Sequence, residues 1–69
     1  MIKTFLLSNL PEFREIFKIE NTDHITLEAE INIITNEYRV YGNSFDLSTQ
    51  DFLGEGILTK EELEFISGF

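Results

Sequence analysis

Cysteine is absent from the 69 residues, which excludes disulfides and thiolate metal sites. A lone histidine leaves no set of imidazoles for a zinc site. Basic residues are scarce, five Lys and Arg against thirteen Asp and Glu. The resulting net charge of −8 opposes nucleic acid and anionic lipid, both of which are bound through cations set against phosphate. No apolar run approaches the length of a bilayer span. The opening MIKTFLLSNLPEF lacks the long apolar core and small-residue cleavage site of a secretory leader. A cytoplasmic protein is therefore expected.

Composition is nonetheless that of a folded chain, with 42% apolar residues and seven Phe. The length implies a single small domain over residues 1–69. Below about 70–80 residues a core rarely supplies more than about 3–5 kcal/mol, so such domains add a staple. With disulfides excluded, self-association or partner binding remains, and a homo-oligomer is expected.

Charge is unevenly spread. Residues 1–18 carry two acids and three bases, a net of +1. Residues 19–38 carry five acids and no base, a net of −5, and residues 39–69 carry six acids and two bases, a net of −4. A field of that sign favours a basic partner and speeds encounter with it. It also keeps a small protein soluble with no further role.

Periodicity supplies the fold. Ile2, Phe5, Leu6 and Leu7 form a short apolar opening, open to a strand over 1–7 or to a helix. Pro11 suits a first helical turn, and Phe13, Ile16 and Phe17 share one face, predicting a helix over 11–19 closed by Asn21-Thr22-Asp23. Residues 24–34 alternate strictly, with Ile25, Leu27, Ala29, Ile31 and Ile33 on one side and Thr26, Glu28, Glu30 and Asn32 on the other. A two-residue turn at Thr35-Asn36 folds this strand onto 37–42, opposing Ile33 to Tyr38, Ile31 to Val40, Asn32 to Arg39 and Glu30 to Tyr41. Ser48 to Asp51 has the spacing of a single helical turn running to Leu53 and broken by Gly54 and Gly56. Thr59 and Glu62 form a capping box for a helix over 60–67, with Leu63 and Ile66 inward, Gly68 as a left-handed cap and Phe69 folding back on Leu63. The expected class is α+β: a small antiparallel sheet packed on one face by two helices.

Glu28, Glu30, Asn32, Arg39 and Tyr41 then share the uncovered sheet face. With Phe65, which lies off the Leu63–Ile66 stripe, they form the candidate partner-binding set. Alternate strand residues stand about 6.6 Å apart, so Glu28 and Glu30 make a short ladder of carboxylates.

Catalytic signals are weak. His24 follows Asp23, but acid–base work needs a positioned substrate and an orienting group, and the pair reads as a turn. Glu61, Glu62 and Glu64 read as a solvated helix face. No phosphate loop or nucleophile elbow occurs. No enzymatic activity and no cofactor are expected.

The segment DFLGEGILTKEE, residues 51–62, resembles the calcium loop of an EF-hand. Asp51 stands at the first carboxylate, Gly56 at the sharp turn, Leu58 at the apolar position and Glu62 at the final glutamate, with Glu55 as a further ligand. The resemblance implies a hard cation wrapped in oxygen. It departs from the motif at Leu53, where an Asp or Asn belongs, and in having no room for an entering helix. Read without the resemblance, the segment is a glycine-broken loop leading into a capped helix.

In size and charge the chain is similar to phage-encoded inhibitors of host nucleic-acid enzymes, including anti-CRISPR and uracil-glycosylase inhibitor proteins. That likeness is one of class and carries no shared motif. It implies a DNA-mimic decoy on a basic surface. The alternative is an assembly module that pairs with copies of itself and is charged for solubility alone.

Overall fold

The computed structural model describes residues 1–46 and 48–68. Strands β1 (Ile2–Ser8), β2 (Thr26–Asn32), β3 (Glu37–Asn43) and β4 (Gln50–Ile57) form one antiparallel sheet in the order β1-β2-β3-β4. Helix α1 (Pro11–Phe17) lies between β1 and β2 in the chain, and α2 (Lys60–Ser67) follows β4. The fold is a small α+β arrangement of four strands and two helices.

The apolar opening is thus a strand, with Leu7 opposite Leu27 and Phe5 opposite Ala29. Helix α1 is shorter than 11–19. Lys18 adopts a left-handed conformation (φ 56°) and the Ile19 N–H returns to the Arg14 carbonyl at 3.0 Å, so the helix closes before Asn21 is reached.

The central hairpin forms, but its boundaries and register differ from those expected. Strand pairing begins at Thr26 and ends at Asn32, leaving Ile25 and Ile34 exposed and Ile33 in the turn. Ile31 faces Tyr38 and Ala29 faces Val40, two residues away from the expected pairing. On the other face Glu30 meets Arg39 and Glu28 meets Tyr41. Asn32 is the cause. Its Oδ1 accepts the N–H groups of Ile34 (3.0 Å) and Thr35 (3.3 Å), which draws Ile33 and Ile34 out of the strand into a four-residue turn. Asn36 closes that turn at φ 66°, donating its N–H to the Asn32 carbonyl at 2.7 Å. Because the slip is by two residues, every side chain within the paired segment Thr26–Asn32 keeps its expected face.

Residues 50–57 overturn the expectation of a helical turn and a glycine-broken loop. They form an edge strand on β3. The ladder runs Arg39 to Glu55 and Val40 to Gly54, then jumps to Tyr41 with Phe52, so Leu53 is an extra residue. This bulge turns Leu53 toward the core and resets the alternation on either side of it.

Helix α2 spans the expected residues, and its capping box is complete. Thr59 Oγ1 accepts from the Glu62 N–H at 3.1 Å, and Glu62 Oε1 accepts from the Thr59 N–H at 2.8 Å. Gly68 closes it at φ −82°, in the right-handed region rather than the left-handed one. The expected contact of Phe69 lies outside the described residues.

The core gathers Leu7, Leu27, Ala29, Ile31, Tyr38 and Val40 from β1, β2 and β3 with Phe13, Phe17 and Ile66 from the helices and Leu58 beside them. Tyr38 joins the layers twice. Its ring lies 5.2 Å from that of Phe17, and its hydroxyl donates to the Phe17 carbonyl at 2.9 Å.

Candidate functional site

The remaining sheet face is wet. Strand alternation places Ile2, Thr4, Leu6 and Ser8 of β1 on it, with Thr26, Glu28, Glu30 and Asn32 of β2. From β3 come Glu37, Arg39, Tyr41 and Asn43, and from β4 Gln50, Phe52, Glu55 and Ile57. Apart from Asn43 these residues are exposed or half-exposed. Glu28, Glu30, Glu37 and Glu55 face Arg39 as the one base there among the described residues, a net of −3.

Five of the six candidate residues therefore share one surface, but they do not do equal things. Glu28 is held in place: the Gln50 amide donates to its Oε2 at 3.1 Å and to Asn43 Oδ1 at 3.0 Å, and Asn43 in turn donates to Thr26 at 3.1 Å. Arg39 Nε lies 3.5 Å from Glu55 Oε1, an exposed pair that contributes little to stability but cancels one carboxylate locally. Tyr41 meets the Phe52 ring edge-on at 5.6 Å. Asn32 spends its side-chain oxygen on the turn and is poorly placed to bind a partner through it. Phe65 does not join the set. It belongs to α2, with its ring 6.1 Å from Phe13.

Sequence reasoning missed the apolar margins Ile2 and Leu6 on β1 and Ile57 on β4, exposed by 61%, 68% and 70%, and, while it offers Phe52 beside Phe65 as an exposed apolar contact, it does not place Phe52 (55% exposed) on this face. It also missed Glu37, Glu55 and Gln50 on this face. The margin on β1 follows from alternation once 2–8 is taken as a strand. The margin on β4 is masked by the bulge. Between β2, β3 and β4, Glu30, Glu37, Arg39, Glu55 and Ile57 border an open depression of about 680 Å³.

On the core side, His24 pairs with Asp51 and not with its neighbour Asp23. Its Nε2 lies 2.7 Å from Asp51 Oδ2, and its ring rests on Gly42, leaving no room there for a Cβ. Nδ1 is buried without a partner. The pair ties the segment before β2 to the start of β4.

The calcium-loop geometry is overturned. Asp51 points to the core side toward His24, and Glu55 to the open face toward Arg39, so an extended backbone sends the supposed ligands apart. Among the described residues no group of three His, Cys, Asp or Glu converges as metal ligands, and no helix is long and apolar enough to cross a membrane.

Comparison with protein-family models, with curated proteins and with solved structures returns no match.

Proposed function

We propose that the open sheet face docks onto a basic surface of another protein, and that the chain acts by occupying that surface and not by catalysis. The observation that carries this reading is the face itself: four carboxylates against one guanidinium, framed by exposed apolar side chains on both margins. Phe13, Phe17 and Ile66 of the two helices belong to the core cluster with Leu27, Ala29, Ile31 and Val40, the residues of the other sheet face. Carboxylates fixed on a sheet lose little freedom on binding, and Gln50 already holds Glu28 in place. The negative field steers encounter with a cationic partner. Tyr41 and Phe52, already in contact, supply the aromatic anchor that interface energies concentrate on. A surface built to hold phosphates fits this description, so the partner class is a nucleic-acid enzyme or binding protein whose cationic site the chain fills as a decoy. That is the strategy of the phage inhibitors whose size and charge it shares.

The rival is assembly with further copies, the charge serving solubility alone. Exposed Ile2 and Leu6 favour it. Salt separates the two, because a charge-driven contact weakens steeply as ionic strength rises and an apolar one does not.

The test uses the immobilised chain as bait at low salt, beside a Glu28→Lys/Glu30→Lys variant. Proteins held by the wild type, lost by the variant and released by duplex DNA support the decoy. Retention that ignores the two reversals removes this face from the account. Retention that depends on them but resists DNA keeps the docking face and removes the nucleic-acid surface as its target.

A further inference from the structure

The two edges of the sheet are built differently, and only one is guarded. On β4, Asp51 and Glu55 bring charge to the edge, Gly54 and Gly56 weaken the strand, and the bulge at Leu53 bends it. These are the devices by which proteins prevent a sheet edge from recruiting another strand. β1, IKTFLLS, is regular over seven residues, with no glycine, no proline and no bulge in its pairing with β2. Its one charge, Lys3, lies over its own Phe5 at 5.8 Å from the ring centroid.

The free hydrogen-bonding groups of β1 can be identified. The Met1 carbonyl accepts from the Ile33 N–H, and the Asn9 N–H donates to the Ile25 carbonyl. In an unbroken antiparallel ladder this aims the backbone of odd-numbered residues at β2 and that of Ile2, Thr4 and Leu6 at solvent, while the Ser8 carbonyl already accepts from the Leu10 N–H at 2.8 Å. Those even-numbered residues are also the ones whose side chains face the open side, where Ile2 and Leu6 are exposed.

We propose that β1 pairs antiparallel with β1 of a second copy, about a two-fold axis through Thr4. Only registers that set even-numbered residues opposite one another can form the hydrogen bonds. The register centred on Thr4 places Ile2 opposite Leu6 of the other copy on both sides of the axis, the self-complementarity that a two-fold interface demands. Lys3 then stands opposite the other copy's Phe5. Charge selects the same place, since residues 1–18 carry +1 and the rest of the chain −9. Two strongly acidic copies therefore meet where repulsion is least. The axis runs perpendicular to the sheet, so both open faces look the same way. The two β2 strands stand three strand spacings apart, about 14 Å. The ladders of Glu28 and Glu30 are then doubled across one continuous surface with an apolar seam between them. This gives the assembly reading its interface and does not depend on whether the face docks a partner.

Sedimentation equilibrium from micromolar to millimolar protein tests it. The wild type is expected to reach twice the 8.0 kDa chain mass. Leu6→Lys puts a charge in the seam, and Thr4→Pro removes an N–H that points to solvent. Both are expected at the single-chain mass with unchanged circular dichroism. Should the proline variant misfold, Leu6→Lys decides, because Leu6 lies outside the core. Phe52→Lys, on the guarded edge, is expected to remain a dimer. A wild type at 8.0 kDa throughout, or a dimer that Leu6→Lys leaves intact, overturns the proposal. A monomer whose partner capture still fails on reversal of Glu28 and Glu30 ends the edge pairing and leaves the docking face standing. A dimer without such capture does the reverse.

Discussion

β2 and β4 lie two strands apart in one sheet and are held there by different means. β2 alternates buried and half-buried residues without a break, and Leu27, Ala29 and Ile31 are fully buried. β4 has no buried residue along its length, two glycines and a bulge. A central strand is placed by the side chains it buries. An edge strand of this composition is placed by a few particular contacts, and its sequence looks like a loop because those contacts come from elsewhere in the chain. The largest expected effect follows. Leu27→Ala should cost about 2–5 kcal/mol, comparable to the whole stability of about 3–5 kcal/mol available to a chain this short. Half-buried Leu53→Ala, in the bulge, should cost about 1 kcal/mol. Urea midpoints measure both. Equal losses would mean that β4 is anchored by its apolar side chains after all.

The particular contacts that place β4 come next in size. The His24 ring lies on Gly42 and holds Asp51, the second residue of β4. Gly42→Ala must expel that ring, at an expected cost of about 1–3 kcal/mol. Because the clash and the lost ion pair share one imidazole, His24→Ala/Gly42→Ala should cost less than the two single changes summed. Gly54 is the control. A Cβ there meets only Ile19 Cγ2 at 3.6 Å, so Gly54→Ala should be neutral or gain about 0.5 kcal/mol. Thermal melts of the four variants decide it. An additive double variant would show that His24 does not bridge Gly42 and Asp51.

The same contrast explains what could be read from the sequence. In 24–34 the period of two survives because both faces of β2 have fixed solvents, one core and one water. The sorting of Glu28, Glu30, Arg39 and Tyr41 was therefore legible, and a register slip of two left it intact. The slip itself was not, because it depends on Asn32 choosing the turn backbone over the strand. The capping box of α2 was legible because it is local, four residues long and complete. β4 was hidden because the alternation flips at Leu53, so Phe52 and Glu55 share a face at a spacing of three, which breaks a strand's period of two and mimics a helical turn. Its glycines compounded this. Gly56 lies beneath the Tyr38 ring, with a Cβ position 3.0 Å from Tyr38 Cε2, so the residue that looks like a breaker makes room for an aromatic two strands' worth of sequence away. The carboxylate Glu55 was noticed, but as a cation ligand and not as a member of the open face.

That Tyr38 side chain gives the third effect, on the β3 side of the comparison. Burial first, and then the nearby Glu62 charge, raise the phenol above its ordinary value of 10.0. The unfolded chain therefore ionises at lower pH than the folded one. Stability is complete below pH 10 and is lost as pH climbs from there through the folded value. Tyr38→Phe removes the 2.9 Å hydrogen bond to the Phe17 carbonyl and should cost about 0.5–1.5 kcal/mol at neutral pH. In return it should lose less stability than the wild type between pH 10 and higher values. Urea midpoints at pH 8 and above pH 10 read both effects. A parallel alkaline loss in the two proteins would mean that the hydroxyl is not held in the core.

The smallest effect lies in the turn that delivers the chain to β4. Asp46 accepts from the Ser48 hydroxyl (2.6 Å) and N–H (3.0 Å) and from the Ser44 hydroxyl (2.9 Å). The Ser48 hydroxyl foremost, then the Ser48 N–H and Ser44, favour the carboxylate and bring it from 3.8 down to about 2. A depressed folded value means that the contribution is present above pH 3.8 and is lost as pH falls through about 2. The group is fully exposed, so Asp46→Asn should barely move the acid unfolding midpoint, unlike any change in the contacts that hold β4 itself. Its own titration is the sensitive reading. A carboxyl NMR midpoint near 2 in the wild type should rise toward 3.8 in Ser48→Ala. A wild-type midpoint already at 3.8 would mean that the serines do not organise this turn, and that β4 is positioned entirely by what it meets after Gln50: the His24 imidazole, the Tyr38 ring and the bulge opposite Val40.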